Sequence, residues 1–242
     1  MKLPDFSYEK LAWENRYSLV IGVDEVGRGS FAGPVVAGAA AVKNIKYQKS
    51  KIKNILETIS KLGINDSKKL SPHKRKELVI EIKKYFYWGI GEASVSEINR
   101  LGIVKATEKA MRKAVNSIKY LVASSLIKKN KNLPATDYLL PTTNYFLLTD
   151  AFHIKHVNGI GLKNQLAIVK GDSKSISIAA ASILAKVYRD TLMQKLSLSY
   201  SKYQWGRNKG YGTEKHRQKI LEYGTVRFHR VKYIETWIRN SL

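Results

Sequence analysis

The sequence contains no cysteine, which excludes disulfide staples and every metal site built on thiolates. Any fold must rest on its apolar core, and any metal must be held by oxygen or imidazole. Acidic residues are also scarce, with 19 Asp and Glu against 43 Lys and Arg and a formal net charge of +24. A field of that sign attracts polyanions, nucleic acid foremost, and makes their binding strongly salt dependent. No long uninterrupted apolar run suggests a membrane span, and the start Met1-Lys2-Leu3-Pro4-Asp5 lacks the apolar stretch of a signal peptide. We therefore expect a cytoplasmic protein with no membrane partner, and the lack of thiols suits a reducing compartment.

What is present points to a folded protein. The chain has 242 residues, 44% of them hydrophobic, enough for one large domain or one domain with a smaller appendage. A lysine-rich surface reflecting compositional bias accounts for part of the charge, but not for where the acids sit.

Apolar, β-branched or small residues over Ser18 to Asp24, Pro34 to Val42 and Tyr85 to Val95 read as three strands of an antiparallel meander. Between the second and third, the basic stretch Lys49 to Lys84 contains Ser71-Pro72, a good helix start because serine caps free amides and proline suits the first helical position. Helical spacing of Ile98, Leu101, Val104, Ala110, Val115, Ile118 and Leu121 predicts a helix over Ser96 to Leu126, with Ser96 as its cap. Asn130, Asn132, Pro134 and Pro141 make Lys128 to Thr143 a loop. Two short strands, Tyr145 to Thr149 and Gln165 to Val169, run into Asp150 and Gly171-Asp172, and an Ala-rich helix follows over Ser175 to Leu196. Lys202 to Leu242 adds a Gly-Tyr-Gly turn and two helices, Thr213 to Tyr223 and Lys232 to Asn240. The expected class is α/β, a mixed sheet covered by helices.

Asp24 and Glu25 stand back to back behind the first strand, just before Gly27-Arg28-Gly29. Alone, that pair reads either as a strand end solvating a turn or as a metal site. Asp150 and Asp172 fall behind strands as well, and strand ends at one sheet edge converge. Gathered carboxylates repel unless cations neutralise them, and oxygen-only ligation favours Mg2+ or Mn2+ over zinc. Two such ions in a protein that attracts polyanions point to phosphodiester hydrolysis.

Gly22-Val23-Asp24-Glu25-Val26-Gly27-Arg28-Gly29 with Ala32-Gly33-Pro34-Val35-Val36, Asp66-Ser67-Lys68-Lys69-Leu70, Lys170-Gly171-Asp172 running into Ser177 to Val187, and Gly210-Tyr211-Gly212-Thr213 resemble bacterial ribonuclease HII. The resemblance covers roughly Ser18 to His229, with the motifs in the family's order. It implies an RNase H-like catalytic domain over residues 1–200 and a helical substrate-binding part over 201–242. It also implies cleavage of RNA in RNA/DNA hybrids and 5' to single ribonucleotides in duplex DNA, leaving 5'-phosphate and 3'-hydroxyl ends; the expected state is a monomer, and whether a sliding clamp is a partner stays open. By the same resemblance Asp24, Glu25, Asp150 and Asp172 are the metal ligands, Gly27, Arg28 and Gly29 sense the ribose 2'-hydroxyl, and Tyr211 stacks on the next sugar. Lys68, Lys69, Lys174 and Lys186 are candidate phosphate contacts. In this chain Ala151 stands where many members of the family have glycine, and the Asp150 to Asp172 spacing is long. Phe228-His229-Arg230-Val231-Lys232 matches the family's His-Arg stretch only in part and receives no role. Two other readings remain: a catalytically silent basic RNA-binding protein, and a DNA nuclease of the same fold.

Overall fold

Apolar residues fill both faces of residues 19–26 and 35–42, so these segments form the buried centre of a sheet rather than its edge. In the computed structural model, which describes residues 3–43, 49–129 and 144–240, that sheet has five strands. β1 (Leu19–Val26), β2 (Val35–Val42) and β3 (Phe86–Ala93) make the expected antiparallel meander. β4 (Tyr145–Asp150) and β5 (Gln165–Ile168) extend the other side parallel to β1, in the order β3-β2-β1-β4-β5. The mixed α/β reading holds. Helices α1 (Ser7–Glu14), α2 (Lys49–Lys61), α3 (Pro72–Tyr85), α4 (Val95–Leu101), α5 (Ile103–Lys129), α6 (Ile176–Ser199), α7 (Trp205–Asn208), α8 (Glu214–Tyr223) and α9 (Val231–Arg239) complete the described elements. Among the described residues no helix is long and apolar enough to cross a membrane.

Strand alternation sorts the core into layers. Ile21, Val23, Val35, Ala37, Ala39 and Ala41 face α5, where Ala106, Ala110, Met111, Ala114 and Ile118 meet them. On the opposite face, Ala40 and Val42 join Ala179, Ala180, Ala181, Ile183 and Leu184 of α6, together with Leu78 and Ile82 of α3. α6 lies unusually close to the sheet, because a Cβ on Gly22 or Gly38 would collide with its backbone at Ser177 or Ala181.

Helix starts follow capping chemistry, with one correction. Ser71 and Ser175 cap α3 and α6 as their positions suggest, and Thr213 caps α8. Ser96, however, lies inside a helix. Ser94 is the cap, accepting from the Glu97 amide at 3.2 Å while Glu97 Oε2 accepts from the Ser94 amide at 2.7 Å. This reciprocal box ends β3 at Ala93 and so shortens the expected strand. Gly102, at φ 78°, then splits the expected long helix into α4 and α5. The break shifts the buried face, so Val104 and Leu121 are exposed while Ala106 and Val122 are buried. Of the loop expected over 128–143, residues 128 and 129 belong to α5 and the rest lie outside the described residues.

The long connection after β4 is anchored rather than loose. Ile154, Val157 and Ile160 join the core, and the Gln165 amide both donates to the Ile154 carbonyl and accepts from its N–H, each at 2.9 Å. It begins with Ala151 at φ 64°, a left-handed conformation that costs an L-residue about 1 kcal/mol or more. Ala151→Gly should therefore raise stability by about 0.5–1 kcal/mol, read as a higher Tm. An unchanged or lower Tm would argue that Ala151 is unstrained.

C-terminal residues pack on the rest of the fold through a third group of buried side chains: Tyr203, Trp205, Ile220 and Ile234 against Ala32 and Met193. Trp205 Nε1 donates to His216 Nε2 at 3.0 Å, and His229 Nε2 approaches the same nitrogen at 3.3 Å. The Val226 amide donates to His229 Nδ1, and His216 Nδ1 lies 2.9 Å from the Tyr211 carbonyl. This pattern fits two neutral imidazoles. Burial, then the neighbouring His216, pushes His229 down to about 4, and burial lowers His216 as well. In the unfolded chain both titrate near 6.5. Their contribution is thus present above about pH 6.5 and lost as pH falls through the folded values. The destabilisation caused by His229→Gln should shrink between pH 7 and pH 4 in paired melting curves; a constant gap would contradict the neutral pair.

Candidate active site

Parallel pairing of β1 with β4 matches Val23 to Thr149, which places Asp24 beside Asp150 at one end of the sheet. Asp150 pairs in turn with Ile168 of β5, and the turn that follows carries Asp172. Register alone therefore brings the expected acids to one edge.

Their surroundings differ. Asp24 is buried; its Oδ1 accepts from the Glu25 amide at 2.8 Å, and the Ser182 hydroxyl of α6 also donates to it. Burial, then Glu25, with Asp150 and Asp172 adding, pushes the Asp24 carboxyl well above the usual range. Burial also raises Glu25, with Asp150 adding and the nearby Arg28 opposing. Arg28 NH1 lies 3.7 Å from Glu25 Oε1, and its guanidinium rests 5.1 Å from the centre of the Phe152 ring. Asp150 Oδ1 accepts from the Gly171 amide at 2.8 Å. Asp172 is buried and raised, first by burial and then by Asp66 and Asp150, with Lys68 opposing.

Asp66 is thus a fifth acid at this edge, one the strand-end pattern did not select. It caps the turn 67–69 by accepting from the Lys68 amide at 2.9 Å, which explains its place in the Asp66-Ser67-Lys68 motif. Lys68 Nζ stands 3.8 Å from Asp172 Oδ2. Burial opposes its charge, yet Asp172, Asp66, Asp24 and Asp150 together hold the ammonium above its ordinary value. Ser67 Oγ lies 2.9 Å from Ser182 Oγ, linking this turn to the hydroxyl on Asp24. Lys186 is less available as a phosphate contact, because its ammonium pairs with Asp190 at 2.8 Å.

Among the described residues, no three acids or imidazoles stand in ligand geometry for a single ion. Each carboxylate turns instead to a protein partner: Arg28, Lys68, Ser182 or a backbone amide.

The turn after the acids lies against the C-terminal part. Gly27 has φ 84°, and a side chain there would run into the Arg189 guanidinium. Arg189 is buried and donates to the carbonyls of Pro34, Lys209 and Ala32 at 3.0, 2.8 and 3.0 Å. Ser30 bridges Tyr211, and Phe31 and Ala32 both donate to the Gly210 carbonyl. Tyr211 is thereby fixed beside the turn with its ring partly exposed, 5.6 Å below the Arg189 guanidinium. All eight expected acid, turn and tyrosine positions belong to the sheet end or the segments packed on it.

Known proteins give this arrangement its context. The ribonuclease HII family model matches residues 21–236. A ribonuclease HII of Caldanaerobacter subterraneus subsp. tengcongensis is 39% identical over 229 residues, covering 94% of this chain and 79% of that protein. Among solved structures, the RNase HII in a complex with PCNA from Archaeoglobus fulgidus aligns with a TM-score of 0.60 at 21% identity, over 88% of this chain and 94% of that one. Bst-RNase HIII in complex with Mn2+ aligns with a TM-score of 0.57 at 20% identity, over 95% of this chain and 73% of that one. At those identities the structures speak for the RNase H-like fold, whereas the family match and the close relative speak for the lineage. The chain belongs to the ribonuclease HII family and is an endoribonuclease, a hydrolase of phosphodiester bonds.

Proposed function

We propose that this endoribonuclease cuts the RNA strand of RNA/DNA hybrids and incises duplex DNA 5' to single ribonucleotides, leaving 5'-phosphate and 3'-hydroxyl ends. The observation that carries the reading is adjacency: a cluster of buried or half-buried carboxylates continues within two residues into the Gly27-Arg28-Gly29 turn, with Tyr211 beside it. A 2'-hydroxyl is what distinguishes RNA from DNA at a given sugar, and backbone groups at a glycine turn can approach it closely.

Asp24, Glu25, Asp150 and Asp172 would hold Mg2+ or Mn2+. The donor set fits, being oxygen only, with the Asp24, Glu25 and Asp172 carboxyls raised by burial and by like charge that a cation would relieve. The Mn2+ complex of the HIII neighbour supports the same choice. Bound there, a pair of such ions would activate water and neutralise the leaving oxygen. The protein's own part is to fix the carboxylates through Ser182 and the Gly171 amide, and to bring Lys68 toward the scissile phosphate. The Tyr211 ring would pack on the neighbouring sugar and crowd out a further hydroxyl.

The proposed setting is a cytoplasmic monomer whose residues 1–200 carry the chemistry and 201–242 help seat the duplex. The PCNA complex of the Archaeoglobus relative supports adding a sliding clamp to the partners.

Asp24→Asn should lower cleavage of a single-ribonucleotide duplex on the order of a hundredfold or more in Mg2+ or Mn2+, with duplex binding retained. Undiminished cleavage in Mn2+ would sink the carboxylate mechanism. Substrate choice is tested by assaying equal amounts of an all-DNA duplex, a hybrid and a single-ribonucleotide duplex. Efficient cutting of the first would favour the DNA-nuclease reading and end the 2'-hydroxyl one. Tyr211→Ala should weaken junction cutting more than it weakens duplex binding, and equal losses in the two would count against stacking.

A further inference from the structure

Apart from the Ser30 amide donating to the Gly27 carbonyl at 3.3 Å, residues 27–29 are held from outside. The Arg28 carbonyl accepts two hydrogen bonds from residues about two hundred positions away, from Arg230 NH1 at 2.8 Å and from Tyr233 Oη at 2.9 Å. Tyr233 stands in the first turn of α9, and Arg230 immediately precedes that helix. Arg230 is fully buried; its Nε also donates to the Gly33 carbonyl at 2.9 Å, and its own amide donates to the Phe31 carbonyl at 2.7 Å.

A trans peptide is planar, so its C=O and N–H point in opposite directions. The carbonyl of Arg28 and the amide of Gly29 share one peptide. With that carbonyl drawn toward α9, the Gly29 N–H must face the other way. Among the described residues this amide makes no backbone hydrogen bond, and the side-chain direction at Gly29 is open as well, since a Cβ there would meet nothing within 4 Å.

We propose that Arg230 and Tyr233 are positioning residues for sugar discrimination: by fixing the Arg28 carbonyl they aim the Gly29 amide at the ribose. This rests on reading residues 27–29 as the 2'-hydroxyl sensor. Cost favours it over a purely structural clamp. Arg230 is buried near a second buried guanidinium, Arg189; burial first and that like charge second lower it to about 10, and one of its Nη atoms is buried without a partner. Apolar residues of similar volume often stabilise as well as a buried charge or better, so an arrangement this costly is better explained by what it orients. The Phe228 to Lys232 stretch, which had no role in the sequence, acquires one.

The test compares wild type, Tyr233→Phe and Arg230→Lys by kcat and KM on a single-ribonucleotide duplex, by Kd for the all-DNA duplex of the same sequence, and by Tm. Tyr233→Phe removes one donor and keeps the ring. It should lower kcat/KM about fivefold, with the DNA Kd within about twofold and Tm nearly unchanged. Arg230→Lys should lower kcat/KM further. If it fails to fold, Tyr233→Phe decides alone. Unchanged kcat/KM in Tyr233→Phe, or a loss matched by equal loss of DNA affinity or a fallen Tm, overturns the positioning role. Wild-type enzyme that cuts the all-DNA duplex as well as the ribonucleotide duplex would instead remove the 2'-hydroxyl reading, and this inference with it.

Discussion

Helix α6 can lie against β1 and β2 only because Gly22 and Gly38 present no side chain to it, and nearly every part of the site follows from that approach. At its N-terminal side, the turn holding Asp172 leads into the Ser175 cap. About two turns along, Ser182 reaches Asp24 and also Ser67, tying in the Asp66-Ser67-Lys68 turn. Further on, Arg189 reads the carbonyls of Ala32 and Pro34 behind the 27–29 turn, and Asp190 pairs with Lys186 and with Arg75 of α3. Met193 then enters the C-terminal core. One rigid helix thereby gives the acids, the turn and Tyr211 a common frame, which is what preorganised chemistry needs, since small misplacements are costly in rate.

Charge is distributed with equal economy. A chain of net charge +24 gathers Asp24, Glu25, Asp66, Asp150 and Asp172 at one sheet end, where like charges a few Å apart repel by roughly several kcal/mol at an effective dielectric near 20. Burial adds to the penalty. Lys68 and Arg28 offset part of it, each bound to an acid while retaining exposure: 79% for the Lys68 side chain and 41% for that of Arg28. On the proposed reading both cations would be free to meet a phosphate, with the basic surface collecting the polyanion and the acidic pocket supplying the chemistry.

Much of this was legible in the sequence, for a physical reason. Strand pairing has a period of two residues and a fixed register, so acids placed just behind apolar runs had to meet at one edge once β1 and β4 were parallel. Capping chemistry is local, so Ser71, Ser175 and Thr213 could be read directly. The misread cap at Ser96 had a visible signal in Ser94 and Glu97, whose three-residue spacing is that of a capping box. Val104 and Leu121 were misplaced because Gly102 breaks the helical phase, which counting residues across it ignores. Asp66 was passed over because it ends no strand. Arg230 and Tyr233 could not be found by spacing at all, because their contacts to Arg28 cross the whole chain and depend on how α9 docks.

That last contact changes how the site should be divided. β1 supplies two acids in its final residues and passes at once into the turn, so the proposed chemistry and the proposed sugar recognition would share one stretch of backbone. Their supports overlap in α6, which carries both Ser182 and Arg189, and differ in α9, which reaches only the turn. The acids lean on β4, the 171–173 turn and α6, whereas the turn leans on Arg189, Arg230 and Tyr233, and the Tyr211 carbonyl on His216. A perturbation confined to α9 would therefore reach the aim of the Gly29 amide before it reached any carboxylate, because no α9 side chain touches the acids among the contacts described here. On the proposed reading, recognition of the sugar and cleavage beside it are covalently adjacent and share α6, and the α9 contacts bear on the first of the two.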